Sequence, residues 1–527
     1  TGGSNVAIGH LSLDANTTAS FNTAVGLNAL SAATTGHSNV GMGYLALRDV
    51  TDGPGNVGIG TTAGLQITTG DYNVALGYAA LYATTTADNN VAIGRNAMYV
   101  NTTGASNVAV GALALDANTT ASNNTAVGYG AAGANTTGGN NTAVGLAALA
   151  TNTTGVHNQA VGMYALNVNT TASHNTAMGY NALGVNTTGA SNVAVGNYAL
   201  DANTTAANNV AVGYNALTAN TTGARNTAVG DSAGGTTTTG TINTFLGYYA
   251  AFANTTGGYN VAVGDSSLRF NTTASNNVAV GYGALYTNTT GASNTAIGRS
   301  ALYTTTTSHN NVAVGYSAMD DTTTGGTNTA VGESAGTAVT TGANNVLLGT
   351  QAGHTITTGG ANHCIGYQAT PGAAGNTHEI VMGYQAVGKG TATGFISPLG
   401  GAVYQGNNST AWTATSDRRI KKDIVPNTKG LEAIIQIEPK NFYYKSDEEL
   451  QEELPGAVEK LPLNKLTTSA IAQELDLIFP EAIERRGEHD IMSVNTDPIF
   501  WSMINAIKEL SAEINQLKQW KEEHTCD

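Results

Sequence analysis

The chain has 527 residues, of which 41 % are apolar and only 10 % charged, with 66 glycines and a net charge of −15. An acidic chain with no basic stripe excludes a nucleic-acid-binding protein, because phosphate backbones demand Lys and Arg on one face. The two cysteines, Cys364 and Cys526, lie far apart, which excludes a disulfide framework. No run reaches the roughly 18 apolar residues that a membrane span requires.

The charge is unevenly spread. Residues 1–388 hold five arginines, no lysine and thirteen acidic residues, whereas residues 389–527 hold fifteen basic and twenty-two acidic ones. A sparsely charged first part therefore joins an ordinary charged domain. The N-terminal Thr1-Gly2-Gly3-Ser4 opens inside a repeat, without Met or signal peptide. An anchor to a virion baseplate or a cell surface is expected upstream of it.

Residues 1–388 are a repeat array. The glycine of Asn-x-Ala-Val-Gly falls at Gly9, Gly26, Gly43 and so on to Gly383, always 17 residues apart, giving 23 copies without an insertion. A stack in which each coil rests on the last tolerates no change of length, whereas globular loops do. The residue before the glycine is Val, Ile, Leu or Met in all 23 copies. Two before it stands Ala in 17 copies, three after it Ala in 21, and four before it Asn in 22, with Glu379 the exception. Leu often follows four after it, as at Leu30, Leu115 and Leu217.

Val, Thr and Tyr favour strands, and Asn and Gly supply turns with positive φ. The pattern predicts a mainly β fold, a parallel β-solenoid or β-roll, with two short strands per repeat. At ~4.8 Å per coil the shaft would be about 110 Å long. Stacked Asn side chains would form amide ladders. The repeat resembles the head repeats of trimeric autotransporter adhesins, left-handed β-rolls with a similar Val-Ala-Ile-Gly core. It is also similar to repeats in tail-fibre proteins of phage and bacteria. The period of 17 exceeds that of the usual adhesin repeat.

Three features of the shaft carry candidate chemistry. Asn-Thr-Thr occurs 12 times, as a glycosylation sequon or, since the spacing is fixed, a structural turn ladder. Tyr follows the repeat glycine ten times, including Tyr78, Tyr129, Tyr180, Tyr214, Tyr282 and Tyr316. Such a stripe either stacks on sugars or covers the coil edge. The ten histidines lack carboxylate or Cys partners at ligand spacing, so neither a metal nor a cofactor is expected.

Residues 389–415 form a connector or tip. Beyond it the composition becomes that of a globular domain, residues 416–527. Ser416-Asp417-Arg418-Arg419-Ile420-Lys421-Lys422-Asp423-Ile424 is followed by Gly430-Leu431-Glu432-Ala433-Ile434 and Pro439-Lys440-Asn441-Phe442-Tyr443-Tyr444. Then come Ile471-Ala472-Gln473-Glu474-Leu475 and Phe479-Pro480-Glu481-Ala482. In this order the motifs over residues 416–521 resemble the intramolecular chaperone domain called peptidase S74, which ends phage tail fibres and tailspikes. The resemblance implies a small α+β domain that trimerises, helps the upstream fibre fold in register and often cuts itself off. A Ser nucleophile needs a base, and Lys serves when its pKa is lowered. The resemblance assigns Ser416 as nucleophile and Lys421 as base, with Asp417 matching the motif and the cut between Thr415 and Ser416. No external substrate is expected.

The tail predicts a helix over about 498–522. Phe500, Met503, Ile507, Leu510, Ile514 and Leu517 follow the 3-4 spacing of a heptad seam. Ile at a with Leu at d leans toward a dimer, so the homotrimer rests on the resemblance. The alternative is an amphipathic helix docked on its own domain. Together these features describe a virion tail-fibre shaft that presents a host receptor- or glycan-binding element. The alternative is a bacterial cell-surface fibre or adhesin of the same architecture. A carbohydrate-degrading tailspike is disfavoured, because the repeats carry no recurrent paired carboxylates.

Overall fold

The three residues before each repeat glycine alternate outward, inward and outward, as a strand requires. In the computed structural model they form one short strand per coil, from β1 (Val6–Ile8) to β23 (Ile380–Gly383). Neighbouring coils pair in parallel with a shift of one repeat: Val193 faces Val210, Ala194 faces Ala211 and Val195 faces Val212. The structure describes residues 2–398, 403–405, 412–414, 422–443, 445, 446, 449, 466–486 and 491–525. It divides into two compact units, Thr1–Thr415 and Ser416–Asp527. The first is the expected parallel β-solenoid.

The expectation of a second strand in each repeat is corrected. The segment after the glycine is a run of turns, in which left-handed residues alternate with ordinary ones: Asn28 has φ 55° and Leu30 φ 52°. The reason lies in the sequence. Ala29 and Leu30 are adjacent and both buried, and a pleated strand cannot point consecutive side chains to the same side. Kinking each coil here lets both face inward, and the ladder survives because Leu30 N–H still donates to the Ala46 carbonyl of the next coil, at 3.0 Å. The roll therefore has two unlike walls, a strand wall and a turn wall, whose inward side chains meet. At Gly41 a side chain would touch both the Leu30 Cγ and the Ala46 carbonyl of the turn wall, at 3.1 Å.

The core between the walls is one Ala and one Leu thick, so polar ladders close its edges. Four before each glycine, Asn209 Oδ1 accepts from Asn226 N–H of the next coil at 2.8 Å, while Asn209 Nδ2 donates to the Gly223 carbonyl at 2.9 Å. Seven after the glycine, a second Asn column links Nδ2 to the Oδ1 of the coil before: Asn118 to Asn101 at 2.8 Å and Asn152 to Asn135 at 2.8 Å. The first ladder ends at Glu379, whose N–H still donates to Asn362 Oδ1 at 3.0 Å. Its carboxylate instead accepts from Asn376 Nδ2 at 2.6 Å and Gly372 N–H at 3.0 Å.

Past the last coil, β24 (Gly394–Ser397) continues the parallel sheet, and β25 (Val403–Gln405) and β26 (Trp412–Ala414) turn it antiparallel. In the second unit α1 (Leu431–Ile434), β27 (Lys440–Phe442), β28 (Thr467–Ser469) and α2 (Ala472–Leu475) precede a 3-10 turn at Pro480–Ala482. The hairpin of β29 (Ile483–Arg486) and β30 (Ile491–Val494) leads into α3 (Asp497–His524). Its small core gathers Leu475, Phe479 and Ala482. Lys429 Nζ lies 4.6 Å above the Phe479 ring and 3.0 Å from Glu481 Oε2, so the Phe-Pro-Glu-Ala motif is a packing and ion-pair element.

Candidate functional site: assembly and attachment surfaces

Thr415, Ser416, Asp417 and Lys421, the residues of the expected cut, lie outside the described residues.

The helix α3 has two unlike faces. Ser502, Asn505, Ala506 and Glu509 recur at helical spacing and hold it to its own unit. Asn505 Nδ2 donates to the carbonyls of Asn427 and Lys429 at 2.9 and 3.2 Å, and Asn427 Nδ2 donates to Ser502 Oγ at 3.0 Å. Leu431 N–H donates to Glu509 Oε2 at 2.6 Å, and Ser502 and Ala506 are buried. The heptad residues Phe500, Met503, Ile507, Leu510, Ile514 and Leu517 stay exposed, Ile507 to 66 %. Sequence reasoning missed the docking face, whose signal was the small and polar Ser502-x-x-Asn505-Ala506-x-x-Glu509 row. It also passed over Trp501 and Trp520, both exposed.

The strand wall shows a second apolar surface. Its inward residue is sealed, as at Ala211, which has 0 % exposure. The residue just before the glycine points outward and is apolar in every coil; Ile8, Met42, Leu76, Met178 and Ile297 are exposed. A column of aliphatic side chains thus runs along one wall, uncharged from end to end.

On the turn wall, Tyr78, Tyr129, Tyr214, Tyr282 and Tyr316 are exposed, while Tyr180 is half-buried because it lies edge-on to Tyr164 and Tyr198, with centroids 6.3 and 5.2 Å away. Aromatic side chains also occupy columns read from sequence only as turn. Tyr82 stacks on Tyr99 at 5.0 Å and Tyr286 on Tyr303 at 4.7 Å, and the Arg269 guanidinium sits 4.6 Å over Tyr249. The signal was the shared position five after successive glycines.

Eleven of the twelve Asn-Thr-Thr sequons are closed to glycosylation by burial of their Asn, Asn16 being the half-buried exception. Asn118, Asn135 and Asn220 are fully buried, and each Nδ2 is spent on an amide ladder and a carbonyl three residues on. His157 and His174 stack at 5.1 Å. Among the described residues no cluster of three or more His, Cys, Asp or Glu could hold a metal, and no helix is long and apolar enough to cross a membrane.

Residues 416–484 match the family model Peptidase_S74, described as chaperone of endosialidase. The match ends before β30 and α3, short of residue 521, to which the motif resemblance extends. No curated protein matches the chain. A chaperone-of-endosialidase domain thus follows a parallel β-solenoid of 23 coils, matching the architecture expected from the sequence.

Proposed function

We propose that the chain is the shaft of a trimeric virion tail fibre used in host attachment, assembled by its C-terminal domain, which then releases itself by one self-cleavage. The observation that carries this reading is the family match beginning at residue 416, where the first compact unit ends at Thr415.

Two surfaces support association of three copies. The exposed seam of α3 is apolar, while the adjacent face already serves the helix's own unit. The strand wall is aliphatic in every coil, and burying half of such a side chain contributes on the order of 1 kcal/mol. Summed over the coils, this is enough to hold identical chains side by side.

In the cleavage step Ser416 Oγ attacks the Thr415 carbonyl carbon while Lys421 Nζ, neutral, takes the hydroxyl proton. The amide nitrogen leaves, collects that proton and becomes the new N-terminus. Water then hydrolyses the ester, leaving Thr415 as a carboxylate and regenerating the Ser416 hydroxyl. Asp417 orients the site.

Native and denaturing mass spectrometry of wild type beside Ser416→Ala tests the proposal. The expected result is a trimeric wild-type shaft of chains ending at Thr415, against a trimer of intact mutant chains. An intact wild-type chain overturns the cleavage, and a monomer in both samples overturns the trimer.

A further inference from the structure

We propose that the turn wall between Tyr248 and Glu333 binds an extended, uncharged glycan laid along the shaft axis. This deepens the attachment reading above and rests on it.

The residue after the repeat glycine reads Tyr248, Asp265, Tyr282, Arg299, Tyr316, Glu333 in successive coils. A ring and a charged group therefore alternate strictly, and a ring returns every second coil, at roughly 9.6 Å from the ~4.8 Å rung spacing. All six side chains are exposed. Five of them are also held in place. The Arg299 guanidinium carbon lies 5.8 Å from the centroids of both Tyr282 and Tyr316, within cation–π range of each. Asp265 Oδ1 accepts from Ser266 Oγ at 2.6 Å, and the Tyr248 ring meets Tyr249 edge-on at 4.4 Å.

A pyranose presents an apolar C–H face and a rim of hydroxyls. An aromatic ring takes the first, and a fixed carboxylate or guanidinium takes the second. A ladder alternating the two every second rung suits a chain whose sugars turn alternate faces to the protein. A protein partner would want a desolvated apolar centre, but here every ring has a charge as its axial neighbour. Two carboxylates, Asp265 and Glu333, against Arg299, and the net charge of −15 on the whole chain, select against an anionic polymer.

The test uses the full chain on a printed array of uncharged and anionic glycans. Wild type is compared with Tyr282→Ala/Tyr316→Ala, with Arg299→Gln, and with Tyr78→Ala/Tyr129→Ala as an off-site control. Wild type and control should bind at least one extended uncharged glycan. The double Tyr variant should lose at least tenfold and Arg299→Gln severalfold, at unchanged melting temperature. Binding to no uncharged glycan, binding to anionic glycans alone, or equal binding by the on-site variants overturns the proposal. Native mass spectrometry of the same samples reads assembly separately, so a trimer that binds nothing sinks glycan binding and leaves the fibre reading intact.

Discussion

At the scale of the residue, the shaft depends on atoms that find the same partner one coil away. Gly213 has φ +138°, and a Cβ there would lie 2.4 Å from the Gly230 carbonyl oxygen, so both backbone strain and the ladder exclude a side chain. The Asn column shows what happens when a rung is changed. Where Thr237 replaces Asn, the Asn220 Oδ1 and the Thr237 Oγ1 are both buried without a partner, and Asn288 Oδ1 and Thr305 Oγ1 repeat the defect. Thr237→Asn and Thr305→Asn should each stabilise the shaft by about 1 kcal/mol, seen as a higher denaturation midpoint; an unchanged or lower midpoint would show that the orphaned oxygens are harmless. Cys364 is a different case. Burial first, and the nearby Glu379 charge second, push its thiol up to about 12 from 9.0. The folded state therefore holds the proton, and this group's contribution to stability falls as pH rises from about 9 to about 12. At pH 8 alkylation mapped to Cys364 should be undetectable until the protein unfolds, and rapid labelling of native protein would refute its burial.

At the scale of the element, each coil wall depends on the coils beside it, and the helix α3 on one of its faces. The three-residue strand is too short to be stable alone, and the turn wall has no regular strand at all, so both exist only because the coils above and below complete their hydrogen bonds. The helix α3 docks by one face and leaves the other exposed. Ile507→Glu with Ile514→Glu should abolish trimerisation of the purified chain, read by native mass, while leaving the helical circular dichroism of the domain unchanged. Ala506→Glu should instead destabilise the domain, because it forces a charge into the docking face. A trimer surviving the Ile507/Ile514 change would show that the exposed seam meets something other than its own copies.

At the scale of the whole molecule, regularity brings a hazard. A slip of one repeat, 17 residues, preserves most contacts between coils of identical design, and pairing across separate chains is slow. A domain that associates first would set the register at one end, and its removal would leave a shaft with no template for reversal and a high barrier to unfolding. The carboxyl-terminal end of the shaft is finished in two ways. Glu379 terminates the Asn ladder with a side chain that only accepts, and β24 to β26 change the sheet from parallel to antiparallel, so that the stacking edge does not continue as a coil.

The sequence by itself determined the coil length, the parallel stack, the Ala and Asn columns and the identity of the C-terminal domain. Those follow from a strict period and from ordered motifs, and both are local properties of the chain. Tertiary structure decided what local pattern could not. Adjacent Ala29 and Leu30 look like part of a strand until the narrow core requires both to face inward, which only a kinked backbone achieves. The seam of α3 is read from its heptad spacing, but that Ser502, Asn505, Ala506 and Glu509 hold the helix to its own domain is seen only in the fold. The ring-and-charge ladder from Tyr248 to Glu333 becomes a continuous surface only when residues 17 apart in sequence are stacked on successive rungs. Position along a period can be read from a chain, but which side of the coil a position faces, and what it meets there, is fixed by the packing of one coil on the next.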